Sequence, residues 1–212
     1  MNPTPPDNPL AVSYLTLRTV VGVLGISLPI VVAIVPAWLL GVPFQGSISA
    51  YYYTDMRNVF VGTLFVIGYF LLTYKGHERS DEIAGTLVWL FATGTALFPT
   101  APDGNSCKLE RIYCVHPGFA SALFLTLAFF SLFLFTKTKP GQILSKEKQR
   151  RIKIYKVCGY IMFGSIVVVP ATYYFSDAER QALHPVLWLE AISVWAFGVS
   201  WLVKGTDAPS QP

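Results

Sequence analysis

"LRTVVGVLGISLPIVVAIVPAWLL", residues 17 to 40, carries one charge, Arg18, in 24 residues. A helix needs about 20 mostly apolar residues to cross a bilayer core, and this run supplies them. Five further apolar runs follow at 59–74, 83–98, 119–135, 154–175 and 186–203. The second and third of the six are short and reach full length by taking in polar residues at their ends. None shows the alternation that marks barrel strands, so helices are expected. Composition agrees: 53% of residues are hydrophobic and 13% charged, with mean hydropathy +0.49. Soluble domains hold about 25% charged residues. The expected fold class is all-α: a polytopic transmembrane bundle of six helices forming a single domain over 1–212. Residues 1–13, rich in proline, read as a disordered leader, and 206–212 as a tail. The first run is too long for a cleaved signal peptide, and no basic cluster precedes it.

Basic residues set the expected orientation, because cytoplasmic loops are enriched in Lys and Arg. The segment "TKTKPGQILSKEKQRRIKIYK", 136–156, holds half of the 16 basic residues. Placing it inside puts both termini inside and leaves four basic residues outside: Arg57, Lys108, Arg111 and Arg180. The basic loop could also meet anionic lipid headgroups. Cys107 and Cys114, in "CKLERIYC", then share an outer loop, where a disulfide is chemically reasonable. Cys158 is expected to be a buried thiol.

Between the first two runs lies "SISAYYYTDMRNVF", 47–60. It reads as the outer loop and the start of the second helix. Thr54 or Asp55 can cap that helix. Tyr51, Tyr52 and Tyr53 suit a membrane interface. Arg57 sits in the first turn, where the helix dipole disfavours a cation; Asp55, Asp103 or Glu190 could relieve it, or the side chain could snorkel to water. Other polar residues share this level. "FPTAPDG" brings Asp103, "HPG" brings His116, and "YYFSDAERQALHP" brings Asp177 and His184. Two helices start at His-Pro pairs, since proline at a first helical position removes an N–H that has no partner there.

Glu190 stands inside the sixth run, where a carboxylate is costly and marks a functional candidate. Glu190, Ser193, Phe197, Ser200 and Lys204 follow helical spacing and define one face, expected to point inward. Glycines such as Gly22, Gly25 and Gly198 allow close helix contact. Pro29, Pro36 and Pro170 are expected to disturb the first and fifth helices.

"PFQGSISAYYYTDMRNVFVGTLF" resembles the outer loop and second helix of DRAM-type six-helix membrane proteins and related bacterial proteins. In those an Ile-Ser pair precedes a short polar stretch and a Val/Ile-Phe helix start. This chain has Ser49-Ala50 where that family has Ser-Asp. The resemblance implies a membrane role, lipid-linked in character. The residue types Ser47 or Ser49, Asp55 or Asp103, His116 and His184 also resemble the set that CREST membrane hydrolases gather around zinc. That family has seven helices and a third histidine; here Trp188 stands where the last helix would carry it. His184 and Glu190 are separated by about 240° around a helix, so one metal ion could hardly reach both. A three-histidine zinc site is therefore disfavoured, no metal ligand is assigned, and the cofactor stays open.

The sequence thus predicts a multi-pass protein of the plasma membrane (the inner membrane in a bacterium) with an outward polar pocket. Its expected ligand-binding residues are Ser47, Ser49, Tyr53, Asp55, Arg57, Asp103, His116, Asp177, His184 and Glu190. A small polar ligand or lipid headgroup would bind there, in a sensor, transporter or assembly partner. The alternatives are a membrane-embedded hydrolase, with Glu190, His116, His184 and Ser49 as catalytic candidates, and a structural subunit of a complex. The lipid bilayer is the expected partner, and nucleic acid is not.

Overall fold

The computed structural model describes residues 9–74, 76, 78–102, 111–138, 141 and 143–206, and every regular element among them is helical. Helix α1 (Pro9–Pro29) runs through a π segment (Ile30–Ile34) into α2 (Val35–Leu39). Next come α3 (Arg57–Leu72) and α4 (Arg79–Leu97). Helix α5 (Val115–Phe129) ends in a second π segment, Phe130–Leu134. Helix α6 (Lys146–Val168) tightens into a 3₁₀ turn, Val169–Tyr174. A short α7 (Asp177–Leu183) leads into α8 (Pro185–Gly205). The first helix begins at Pro9, inside the stretch expected to be a disordered leader; proline at a first helical position suits the fixed φ of its ring.

Four stretches are long and apolar enough to cross a bilayer: Leu15–Leu39, Val115–Leu134, Lys146–Tyr174 and Asp177–Gly205. That is fewer than the six expected, and the shortfall has a physical reason. Helix α3 is apolar but has 16 residues, about 24 Å at 1.5 Å per residue, against a hydrocarbon core of about 30 Å. Helix α4 starts Arg79-Ser80-Asp81-Glu82, so its length includes a charged first turn.

The long helices form a closed ring. α3 packs on α4, α4 on α5, α5 on α6, α6 on α8, and α8 returns to α1. The closing contact is made backbone to backbone. A Cβ on Gly22 would lie 2.8 Å from the Leu202 nitrogen, and one on Gly198 2.8 Å from the Gly22 oxygen. Small residues allow this approach, and dispersion between the helices then stabilises it. A π segment follows Pro29, Pro36 lies in the first turn of α2, and the 3₁₀ turn contains Pro170. Near the first of these, the Trp195 indole donates to the Ile26 carbonyl at 3.1 Å.

One end of the ring is sealed. Tyr74 and Phe135 both meet Trp201 edge-on, with ring centroids 5.2 Å apart in each case. Tyr155 and Phe130 complete the cluster. Edge-to-face pairs contribute roughly 0.5–1.5 kcal/mol each beyond burial. Beside them Lys137 bonds Glu78 at 2.8 Å, and Glu78 and Asp81 form a capping box on α4. Glu78 occupies the cap position and Asp81 is its partner one turn in.

Cys158 is a free, buried thiol, as the sequence suggests. Cys107, the expected partner of Cys114, lies outside the described residues. Non-reducing peptide mapping should recover Cys107 and Cys114 in one cross-linked fragment, with Cys158 alkylated after denaturation. Recovery of both as free thiols from an oxidising preparation would remove the pair.

Candidate functional site: a cavity at the open end

The opposite end of the ring receives the connections α2–α3, α4–α5 and α6–α8. The first of these does not stay at the surface. Residues Ser49–Tyr53 form a 3₁₀ turn, in which Ile48, Ser49 and Tyr51 are buried. Tyr51 is thus a core residue and not part of an interfacial belt. A 3₁₀ turn has three residues per turn, so three consecutive tyrosines point in three directions. Tyr51 goes inward, with its hydroxyl 3.4 Å from the Gln45 nitrogen that donates to it. Tyr52 is half-buried. Tyr53 is exposed and donates to the Thr100 carbonyl at 2.7 Å. Partial burial, followed by the adjacent Tyr113 phenol, pushes the Tyr53 hydroxyl up to about 12.

Helix α8 holds this loop in place. The Leu187 N–H has no partner within its own helix, as first-turn amides do not, and it donates to the Gly46 carbonyl at 3.1 Å. One turn further on, Glu190 Oε2 accepts from Ile48 N–H at 2.6 Å and from Ser49 N–H at 3.4 Å. Glu190 therefore stabilises the free amides that open the 3₁₀ turn. The rest of its face points inward as its spacing predicts: Ser193, Phe197 and Ser200 are buried, and Ser131 donates to Ser200 at 3.0 Å.

Between the loop, α5, α6 and α8 lies an open cavity of about 780 Å³. Six of the expected site residues line it: Ser47, Ser49, His116, Asp177, His184 and Glu190. Tyr53, Asp55 and Arg57 do not line it. Asp55 is exposed. Neither Thr54 nor Asp55 caps α3: Met56 holds the cap position without a side-chain cap bond, and Thr54 Oγ1 accepts from the Met56 N–H at 3.2 Å. Among the described residues Arg57 pairs with neither Asp55 nor Glu190. Its guanidinium lies 4.2 Å from the Tyr52 ring centroid and donates to the Tyr52 hydroxyl at 2.5 Å. Asp103 lies outside the described residues.

His116 is 4% exposed, and its Nδ1 sits 2.7 Å from the Phe98 carbonyl. Among the described residues its Nε2 is buried without a partner, and so is His184 Nδ1. His184 adopts the left-handed conformation, φ 45°, that ends α7 and begins α8. Its ring packs on Phe44, centroids 6.0 Å apart. At the mouth, Arg180 pairs with Asp177. Glu190 has a second oxygen, Oε1, with no hydrogen-bond partner among the described residues. Below Glu190 is a separate apolar pocket of about 50 Å³, reaching Leu28, Leu64 and Phe197. It stops above the aromatic seal.

Several polar lining residues were not among the expected site residues, Ser121, Ser165, Arg180 and Gln181 among them. Ser121 shares a face of α5 with His116, Pro117, Ala120 and Phe124, a helical spacing that could have identified it. Arg180 and Ser165 carried no such signal. Among the described residues, no three His, Cys, Asp or Glu side chains gather in a way that could hold a metal ion. No family model, curated protein or solved structure matches this chain.

Proposed function

We propose that this is a multi-pass membrane protein with six spans and both termini in the cytoplasm, whose outward cavity binds a small polar ligand or lipid headgroup. One observation carries the binding reading: a roomy, partly polar cavity lined by Glu190, His116 and His184, with one nitrogen on each histidine buried and without a partner among the described residues. Buried polar groups are nearly always satisfied, so such atoms call for a ligand or ordered water. The lipid-linked role implied by the DRAM-type resemblance agrees with a headgroup as occupant. Six spans are reasonable if α3 and α4 extend through their interfacial residues or the bilayer thins around them. The basic loop at 136–156 supports the orientation. The hydrolase alternative gains no support, since neither histidine contacts a serine hydroxyl among the described residues.

Orientation is tested by single-cysteine labelling of intact cells. A cysteine at position 145 should resist a membrane-impermeant reagent, and its rapid labelling would reverse the topology. Binding is tested by filling the cavity. Ala120 lines both the large cavity and the apolar pocket. Native mass spectrometry of the wild type should retain a bound small molecule or lipid, which Ala120→Trp should lose while staying monodisperse. Identical spectra from both proteins would defeat the binding reading.

A further inference from the structure

Helix α6 and the 3₁₀ turn after it run for 29 residues, Lys146–Tyr174. That is about 44 Å at 1.5 Å per residue, against a hydrocarbon core of about 30 Å. From Ile154 to Phe175 a single charge, Lys156, appears, and this part alone can fill the core. The two turns before it therefore stand in the headgroup layer. Their cations are not spread evenly around the helix. At about 100° per residue, Lys146, Arg150 and Lys153 fall within about 60° of one another, and all three are exposed. The same line continues along the helix through Val157 and Val168, 57% and 47% exposed. A Cβ on Gly164, also on this line, would meet nothing within 4 Å. The buried residues Tyr155, Cys158, Gly159 and Met162 lie on the opposite side, against the bundle. Lys148 and Arg151 belong to that side, about 140–200° round from Lys146, and are half-buried. One face of α6 thus presents three cations directly above a strip of apolar surface that acyl chains cover.

We propose that Lys146, Arg150 and Lys153 hold the headgroup of an anionic phospholipid whose chains lie along Val157 and Val168. Charge and shape agree. The guanidinium fork of Arg150 matches a phosphate, and the two lysines add point charges on either side of it along the helix. A zwitterionic lipid brings its own cation next to the phosphate and gains less. The proposal rests on α6 crossing the membrane. It is independent of the cavity at the other end of the ring, so failure of the cavity reading leaves it standing.

The test titrates the full protein in detergent with phosphatidylglycerol or phosphatidylcholine of equal chain length. Native mass spectrometry counts the bound lipid. Phosphatidylglycerol should bind saturably and more tightly than phosphatidylcholine, and added salt should weaken it. Two double variants then remove the same charge at nearly the same depth, from different faces. Arg150→Gln/Lys153→Gln should weaken phosphatidylglycerol about tenfold, since each cation beside an anionic surface counts for about fivefold in affinity. Lys148→Gln/Arg151→Gln should stay within about twofold of the wild type, because its cations face the bundle. Equal losses in the two variants would leave only diffuse attraction by the basic segment and overturn the site. Equal binding of the two lipids by the wild type would also overturn it, and that comparison needs no variant to fold. Undiminished phosphatidylglycerol binding in Arg150→Gln/Lys153→Gln would overturn it too, and would leave the face to an acidic protein segment.

Discussion

Gly198→Leu should yield no monodisperse, folded protein in detergent, while Gly62→Ala should be indistinguishable from the wild type. The contrast lies in what a new side chain meets. At Gly198 a Cβ would stand 2.7 Å from Ile26 Cγ1, 2.8 Å from the Ile26 nitrogen and 2.8 Å from the Gly22 oxygen. Two of those three atoms are backbone and cannot rotate away, so α1 and α8 must separate. Overpacking a core by a few methylenes costs about 1–3 kcal/mol when side chains can adjust. Here the closing contact of the ring is displaced along its length, and the loss should approach the whole stability of a domain, about 5–15 kcal/mol. At Gly62 nothing lies within 4 Å, and alanine is the better helix former. Size-exclusion profiles and thermal melts compare the two. A monodisperse Gly198→Leu with a wild-type melt would show that the α1–α8 contact does not hold the ring.

The second large effect belongs to Glu190→Ala. Alanine removes the acceptor shared by the Ile48 and Ser49 amides and leaves both without partners in a buried turn. Hydrogen bonds to charged groups contribute about 1.5–3 kcal/mol, and orphaned donors add a desolvation cost. Local opening of the 44–53 loop should become roughly 30- to 150-fold more frequent, for a loss of about 2–3 kcal/mol. Hydrogen exchange at these two amides reads this directly. Glu190→Gln keeps an acceptor and should exchange close to the wild-type rate. Unchanged protection in the alanine variant would mean that the loop is held by the Leu187–Gly46 bond and Tyr51 packing alone.

Hydrophobic run length located all the long helices, because each must satisfy its backbone internally and bury an apolar surface. The inward face of α8 was legible from spacing alone. So was the gathering of His116, His184, Asp177 and Ser49 at one end, since alternation of helix direction dictates it. The number of helices apolar enough to span a bilayer was overread at α3 and α4, where apolar runs are short and flanked by charge. The loop was read wrongly at Tyr51. Three adjacent tyrosines look alike in sequence, and only the 3₁₀ pitch separates the buried ring from the two outer ones. Arg57 has a partner of another kind than the carboxylates its position suggests: the aromatic face and hydroxyl of Tyr52, five residues back.

The tie between α8 and the 44–53 loop has a consequence for the order of events during synthesis. The ribosome releases α1 and this loop first and α8 last. Until α8 arrives, the Ile48 and Ser49 amides have no acceptor, and Gly22 and Gly25 present an open groove to lipid. No earlier, partial version of the cavity exists. The nascent chain must wait as an unclosed horseshoe, with its first connection unanchored and exposed to membrane chaperones and proteases. Ring closure and completion of the cavity then occur in one late step. A chain stalled before α8 would lack both the acceptor for that loop and the helix that packs on Gly22 and Gly25.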